Sequence, residues 1–173
     1  MEAMARLPAA FEKGGTVTAA TSSPLTDGAV AMVMCTEDYA QKLSCVHPAR
    51  FLGGVVVGIH PSVMGLGPIS AARNLSKLTG IDLGDVDIFE INEAFSSQSI
   101  ATIRELELDI QKVNIHGGAL AIGHPLGASG ARIIGQAASL LTECDGDTAM
   151  SLMCIGGGTV SYTHLRAHET PRH

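Results

Sequence analysis

Apolar residues along this chain come in short runs separated by polar, glycine-rich punctuation. Ala29–Thr36 (AVAMVMCT) has the length and apolarity of a buried strand, and Phe51–Ile59 (FLGGVVVGI) is a second such run. Val86–Ile91 (VDIFEI), Val113–Ile115 and Thr148–Cys154 (TAMSLMC) predict three more. Elsewhere the period changes. Ile69, Ala71, Ala72, Leu75 and Leu78 recur at helical spacing, so Ile69–Leu78 predicts a helix. Glu93–Leu106 predicts another, with Phe95, Ile100, Ile103 and Leu106 inward. Ser129–Leu141 predicts a third with Ser129 as its N-cap, and Glu37–Leu43 a short fourth. Residues 12–28, rich in Gly, Thr and Ser, read as a loop feeding a strand, and Pro61–Pro68 reads as a turn. Strands alternating with helices predict an α/β fold. No internal repeat is visible.

Composition narrows the function classes. A chain of 173 residues is one ordinary domain, or one domain with part of a neighbour. With 46% hydrophobic and 16% charged residues it can bury a core, which excludes wholesale disorder. A net charge of −6, 3% aromatics and no Trp argue against a base-stacking nucleic-acid surface. No apolar run reaches the roughly 18 residues of a membrane span. The four cysteines, at 35, 45, 144 and 154, have neither metal-ligand spacing nor a disulfide framework. A reducing, cytoplasmic setting is therefore expected. Met1–Phe11 carries no signal-peptide pattern, and organellar targeting stays open because a first residue need not be a native start. The composition breaks at Thr159. Val160–His173 (VSYTHLRAHETPRH) holds three of the seven His, lacks an apolar period and resembles a translated sequencing-adapter read-through. Residues 159–173 are expected to be a non-native tail.

Three motifs could carry chemistry. Gly117–Gly130 (GGALAIGHPLGASG) packs five of the 20 glycines into one stretch that enters a helix. Pro125 restricts His124 to extended backbone, which fixes the direction of the imidazole. A lone His is more often structural, but one held between Gly and Pro at a helix entry favours function. The Gly-Lys-Ser/Thr ending of a phosphate loop is missing, and no GxGxxG follows a strand. Cys154–Gly158 (CIGGG) delivers a Cys at a strand end. Such a Cys is usually inert core. The glycine triplet could bare N–H groups that stabilise a thiolate or an oxyanion. Asn92–Phe95 (NEAF) ends the strand VDIFEI, where α/β sites gather. Glu93 there also reads as a first-turn helix acid.

NEAF, GGAxAxGHPxGxSGxR and CxGGG, in this order and spacing, resemble the C-terminal half of a thiolase. GTVTAATSSPLTDGA at residues 15–29 and VMGLGP at residues 63–68 resemble further landmarks of that family. The resemblance covers about residues 5–158. It implies a thiolase-like βαβαβαββ half with a mixed central sheet, truncated at both ends. Residues 1–26 would be the end of the loop domain and 27–158 the C-terminal domain. It implies acyl transfer between acetyl-CoA units, or thiolytic cleavage of 3-ketoacyl-CoA, with coenzyme A as substrate or product and no metal or redox cofactor. Cys154 matches the acid/base Cys at the α-carbon, and His124 matches the His that activates the nucleophilic Cys. Asn92 matches the Asn that anchors an oxyanion-hole water, and Gly156 a backbone donor of the second hole. Ser23 and Ala19 match positions touching the pantetheine arm; Met64, Ala94 and Phe95 match residues lining that arm and the acyl site. VMGLGP leans towards the acetyl-CoA acetyltransferase type. The resemblance also implies a parent enzyme that is a homodimer or homotetramer, with acyl-CoA substrates and no nucleic-acid partner.

The departures are equally specific. No CSSG-like nucleophile is present, and neither Cys35 nor Cys45 replaces it. The family's final strand is replaced by TVSYTH, so one central strand is expected to be lost, leaving an open sheet edge and poor solubility. Thr21, Pro24 and Thr26 stand at positions where the family commonly has other residues. His116 replaces a common Asn and reads as structural. The expectation is therefore a partial enzyme, inert by itself. The alternative is a non-catalytic thiolase-like module that binds CoA or lipid.

Overall fold

The computed structural model describes residues 2–43, 49–155 and 159–167. Its elements are α1 (Glu2–Ala5), α2 (Glu37–Lys42), β1 (Ala49–Gly58), α3 (Gly67–Thr79), β2 (Ile88–Ile91), α4 (Ser96–Glu105), α5 (Ala119–Ile122), α6 (Leu126–Glu143), β3 (Thr148–Ile155) and β4 (Thr159–Ala167). The strands form one mixed sheet in the order β1-β4-β3-β2. β4 runs antiparallel to both neighbours, and β2 runs parallel to β3.

Alternation along the strands builds two cores. Phe89 and Ile91 of β2, with Met150 and Leu152 of β3, join Ile69, Ala71, Ala72 and Leu75 of α3. The intervening residues Ile88, Ala149 and Leu165 face the other way, onto Ala137, Leu140 and Leu141 of α6. A strand that meets helices on both faces is buried along its length, which is why β2 and β3 read as nearly continuous apolar runs. α3 carries Pro68 in its first turn, where the missing N–H costs nothing, and is capped at Gly80 in the left-handed region at φ 73°.

Four expectations need correction. Residues 159–167 do not leave the sheet short of a strand: they form β4, between β1 and β3. The segment carries β-branched Thr159, Val160 and Thr163, and both flanking strands offer it a ladder. Composition registered the polar residues and missed that His164 (0% exposed) and Leu165 are buried. The run 29–36 is not a strand. It pairs with no described strand, and Val30, Met32, Val33 and Met34 are all exposed. Val113–Ile115 reduces to a single parallel bridge between Val113 and Phe89. On α4 the buried residues are Gln98, Ser99 and Thr102, while Ile100 is exposed.

Candidate active site

The site gathers at the carboxyl ends of β2 and β3, where the parallel pair opens towards the entry of α6. Asn92 follows β2 directly and is almost wholly buried (1% exposed). Its backbone N–H donates to the Leu152 carbonyl at 2.8 Å, which extends the ladder one residue beyond β2. Cys154 sits two residues further along β3, buried at 7% exposure.

His124 is delivered by the loop before α6. Gly123, at φ 95°, occupies backbone space that a side chain would strain. Pro125 is the N-cap of α6, which begins three residues earlier than the sequence suggests. Ser129 is therefore not the cap but a first-turn residue, and it faces back onto the histidine. Its Oγ lies 2.6 Å from His124 Nδ1 and donates to the Pro125 carbonyl at 3.1 Å. With its one proton so used, Ser129 accepts from Nδ1–H. His124 Nε2 is then the bare nitrogen, and it accepts from Asn92 Nδ2 at 3.3 Å. The chain Asn92–His124–Ser129–Pro125 thus runs with one polarity. Arg132, one turn on, donates to the Gly123 carbonyl at 2.8 Å and pins the loop. Burial first, and the Arg132 charge second, hold the His124 pKa below its usual value. The imidazole is a neutral base near pH 7.

Burial pushes the Cys154 thiol above its ordinary range, with a backbone hydrogen bond opposing it. Cys154 therefore carries its proton here. The glycines that follow it in CIGGG, Gly156 among them, lie outside the described residues, as does Cys45. Cys35 and Cys144 are free and exposed.

Cys154 and His124 line one cavity of about 520 Å³, together with Ser23, Met64, Ala94 and Phe95. Eight of its twelve lining residues, including Leu126 and Met153, are apolar, as a pocket for the apolar part of a ligand requires. The Ser23 N–H donates to the Ala94 carbonyl at 3.1 Å, and the His124 N–H donates to the Pro24 carbonyl at 2.9 Å. The loop 22–26 is thereby stitched to both site segments. Ala19 lies in a short 3-10 turn, is exposed and does not line the cavity. His116 lies on the surface, with Nδ1 at 3.0 Å from Gln136 Nε2 and Nε2 at 3.5 Å from Glu143.

Two supporting residues escaped the sequence reading. Asn114, at φ 47°, uses its side-chain amide as a surrogate strand against Ile91. It accepts from the Ile91 N–H at 2.7 Å and donates to the Ile91 carbonyl at 2.9 Å. Glu93 is not a first-turn helix acid, because α4 begins only at Ser96. It accepts from Asn114 Nδ2 at 3.0 Å and from the Leu120 N–H at 3.0 Å, tying the residue after Asn92 to α5. The spacing of these residues in sequence gave no sign of this pairing.

A profile described as the thiolase C-terminal domain matches residues 46–167, and one described as the thiolase N-terminal domain matches residues 1–38. The chain belongs to the thiolase family. It is 44% identical over 158 residues to human mitochondrial 3-ketoacyl-CoA thiolase, covering 91% of this chain and 40% of the human protein. The crystal structure of that human enzyme in complex with CoA matches with a TM-score of 0.92 at 42% identity, over 97% of this chain and 43% of that one. The acetyl-CoA acetyltransferase of Bacillus anthracis matches with a TM-score of 0.91 at 38% identity, over 96% of this chain and 42% of that one. This thiolase chain thus spans about two fifths of the length of the relatives it matches. Among the described residues, no helix is long and apolar enough to cross a membrane, and no group of three or more His, Cys, Asp or Glu is placed to hold a metal ion.

Proposed function

We propose that this chain supplies the acid/base half of a thiolase active site, which cleaves 3-ketoacyl-CoA with coenzyme A or condenses two acetyl-CoA units. The observation that carries the reading is the convergence of three residues from separate segments. Cys154 and His124 face one largely apolar cavity, with Asn92 bonded to the histidine behind it. A thioester with a long apolar arm and a small reacting head fits such a cavity.

In the cleavage direction, a nucleophilic Cys thiolate from outside these 173 residues attacks the 3-keto carbon. The Cα–Cβ bond breaks and its electron pair passes to the α-carbon. Cys154 then gives its proton to that carbon, releasing acetyl-CoA and leaving the Cys154 thiolate. The incoming CoA thiol loses its proton to that thiolate and attacks the acyl-enzyme, restoring both cysteines. His124, neutral, takes the proton of the nucleophilic thiol onto Nε2 at the start, displacing the Asn92 Nδ2 bond, and returns it to that sulfur when the acyl group leaves. Asn92 holds the imidazole in that tautomer. Ser23, Met64 and Phe95 line the pantetheine arm.

The test is thiolysis of acetoacetyl-CoA by the enzyme that joins this chain to the nucleophile-bearing half, followed by loss of enolate absorbance. Cys154→Ala is expected to lower kcat by about 10³-fold or more. An assembled enzyme with no turnover, or a folded Cys154→Ala variant with full turnover, would refute the reading.

A further inference from the structure

Behind the catalytic pair, on the α6 face of β2, lies a second and much smaller cavity of about 70 Å³. It is lined by Glu90, Asn92, Ala119, Arg132 and Ile133, with His116 and Gln136 towards the surface. Glu90 is 3% exposed and Asn92 is 1% exposed. Glu90 Oε1 and Asn92 Oδ1 are buried, and neither has a hydrogen-bond partner among the described residues. With Glu90 ionised, the carboxylate and the amide oxygen on one cavity wall are both acceptors and cannot satisfy each other. A buried acceptor without a donor is costly, so each calls for an N–H or O–H. A water molecule brings two donors, and the cavity has room for about two at roughly 30 Å³ each. Asn92 already has its nitrogen end on His124, which leaves its oxygen end for the cavity.

We propose that Glu90 is a positioning residue: through water held in this cavity, its carboxyl fixes the Asn92 amide with Oδ1 inward and Nδ2 on His124. Reversing that amide would set an oxygen against the bare Nε2 and destroy the alignment of the Asn92–His124–Ser129 chain. Glu90 touches neither substrate nor the reacting atoms; it acts through Asn92. The charged groups that act on it are Arg132 of α6, which is also engaged with the Gly123 carbonyl, and Glu93, which is engaged with Asn114 and Leu120. The kinetic part of this inference rests on the thiolase reading; the hydration part does not.

The experiment combines two measurements on the assembled enzyme. The first is a nuclear Overhauser contact between water and the methyl group of Ala119, a cavity residue with 0% exposure. The contact is expected in the wild-type protein and lost in Glu90→Leu. The second is steady-state kinetics. Glu90→Leu is expected to lower kcat by about 10- to 100-fold while KM stays within about twofold. Glu90→Gln keeps a carbonyl oxygen and is expected to restore kcat to within about threefold of wild type. A purely structural role would lower the melting temperature of both variants without separating their kcat values. A dry cavity in the wild type, or a folded Glu90→Leu with unchanged kcat, overturns the proposal. Should Glu90→Leu fail to fold, the wild-type water contact and the Glu90→Gln kinetics decide. An enzyme with no thiolysis but a hydrated cavity refutes the thiolase reading and supports the hydration; thiolysis over a dry cavity does the reverse.

Discussion

Replacing Asn114 with Ala tests whether the site rests on the surrogate strand that this residue builds. The substitution removes three hydrogen bonds: from the Ile91 N–H at 2.7 Å, to the Ile91 carbonyl at 2.9 Å and to Glu93 Oε1 at 3.0 Å. The two neutral bonds contribute about 1 kcal/mol each, and the one to a carboxylate about 2 kcal/mol. Ala at φ 47° adds about 1 kcal/mol, because Asn tolerates the left-handed region better. The expected loss is about 4 to 5 kcal/mol, a large share of the roughly 5–15 kcal/mol that stabilises a domain. In urea, with a slope near 2 kcal/mol per molar, the midpoint should fall by about 2 M at unchanged slope. Asn114→Gly separates the causes, since Gly accepts the backbone angle but restores no bond. Its loss should be nearly as large as that of Ala. An Asn114→Gly protein within about 1 kcal/mol of wild type would show that Ile91 finds other partners, and the reasoning would fail.

Two further outcomes follow from burial and close packing. Burial pushes the Glu90 carboxyl from 4.5 up to about 7, with Arg132 opposing and Glu93 adding to the shift. The folded state therefore binds the proton more tightly than the unfolded chain. This contribution to stability is intact below pH 4.5 and is lost as pH rises through 7, a difference of about 3 kcal/mol. Glu90→Gln should remove it, so the two denaturation curves converge at low pH and separate above 7; parallel pH profiles would refute the assignment. At Gly118 an added Cβ would meet the Glu93 carboxylate at 2.5 Å. Gly118→Ala should expel Glu93 from Asn114 and Leu120 and cost about 2–3 kcal/mol by thermal unfolding. A melting temperature equal to wild type would show that Glu93 yields freely.

How much of this was legible depended on whether the information was local. Ile69, Ala71, Ala72 and Leu75 announce α3 by spacing alone, because one face of that helix meets one core. β2 and β3 announce themselves because both faces are covered. The same rule fails at Ala29–Thr36, which has the apolarity of a strand but no neighbour to pair with among the described residues; pairing is a property of the sheet and not of the segment. It fails in the other direction at Thr159–Ala167, where a polar-looking stretch fills a gap between two available ladders. Cys154 and His124 stood out through their glycine and proline surroundings, since those residues constrain backbone locally, and Asn92 through its place at the end of an apolar strand. Glu90 and Asn114 did not. Their importance comes from an unpaired oxygen in one case and a paired strand edge in the other, and both exist only after β2, α5 and α6 have met.

The position of β4 also sets the order in which the sheet can be completed. β1 has no described neighbour except β4, and their register joins Gly58 to Thr159 and Ala49 to Ala167. A ribosome adding about 5–20 residues per second leaves β1 unpaired for on the order of ten seconds before its partner emerges. Throughout that interval Val55, Val56 and Val57 lie on a strand whose one described partner has not yet emerged, beside any other nascent copy. Closing so long a loop makes docking of β4 a slow, non-local step. The yield of folded protein is then governed by how well β1 is shielded during synthesis, and not only by the stability of the finished sheet.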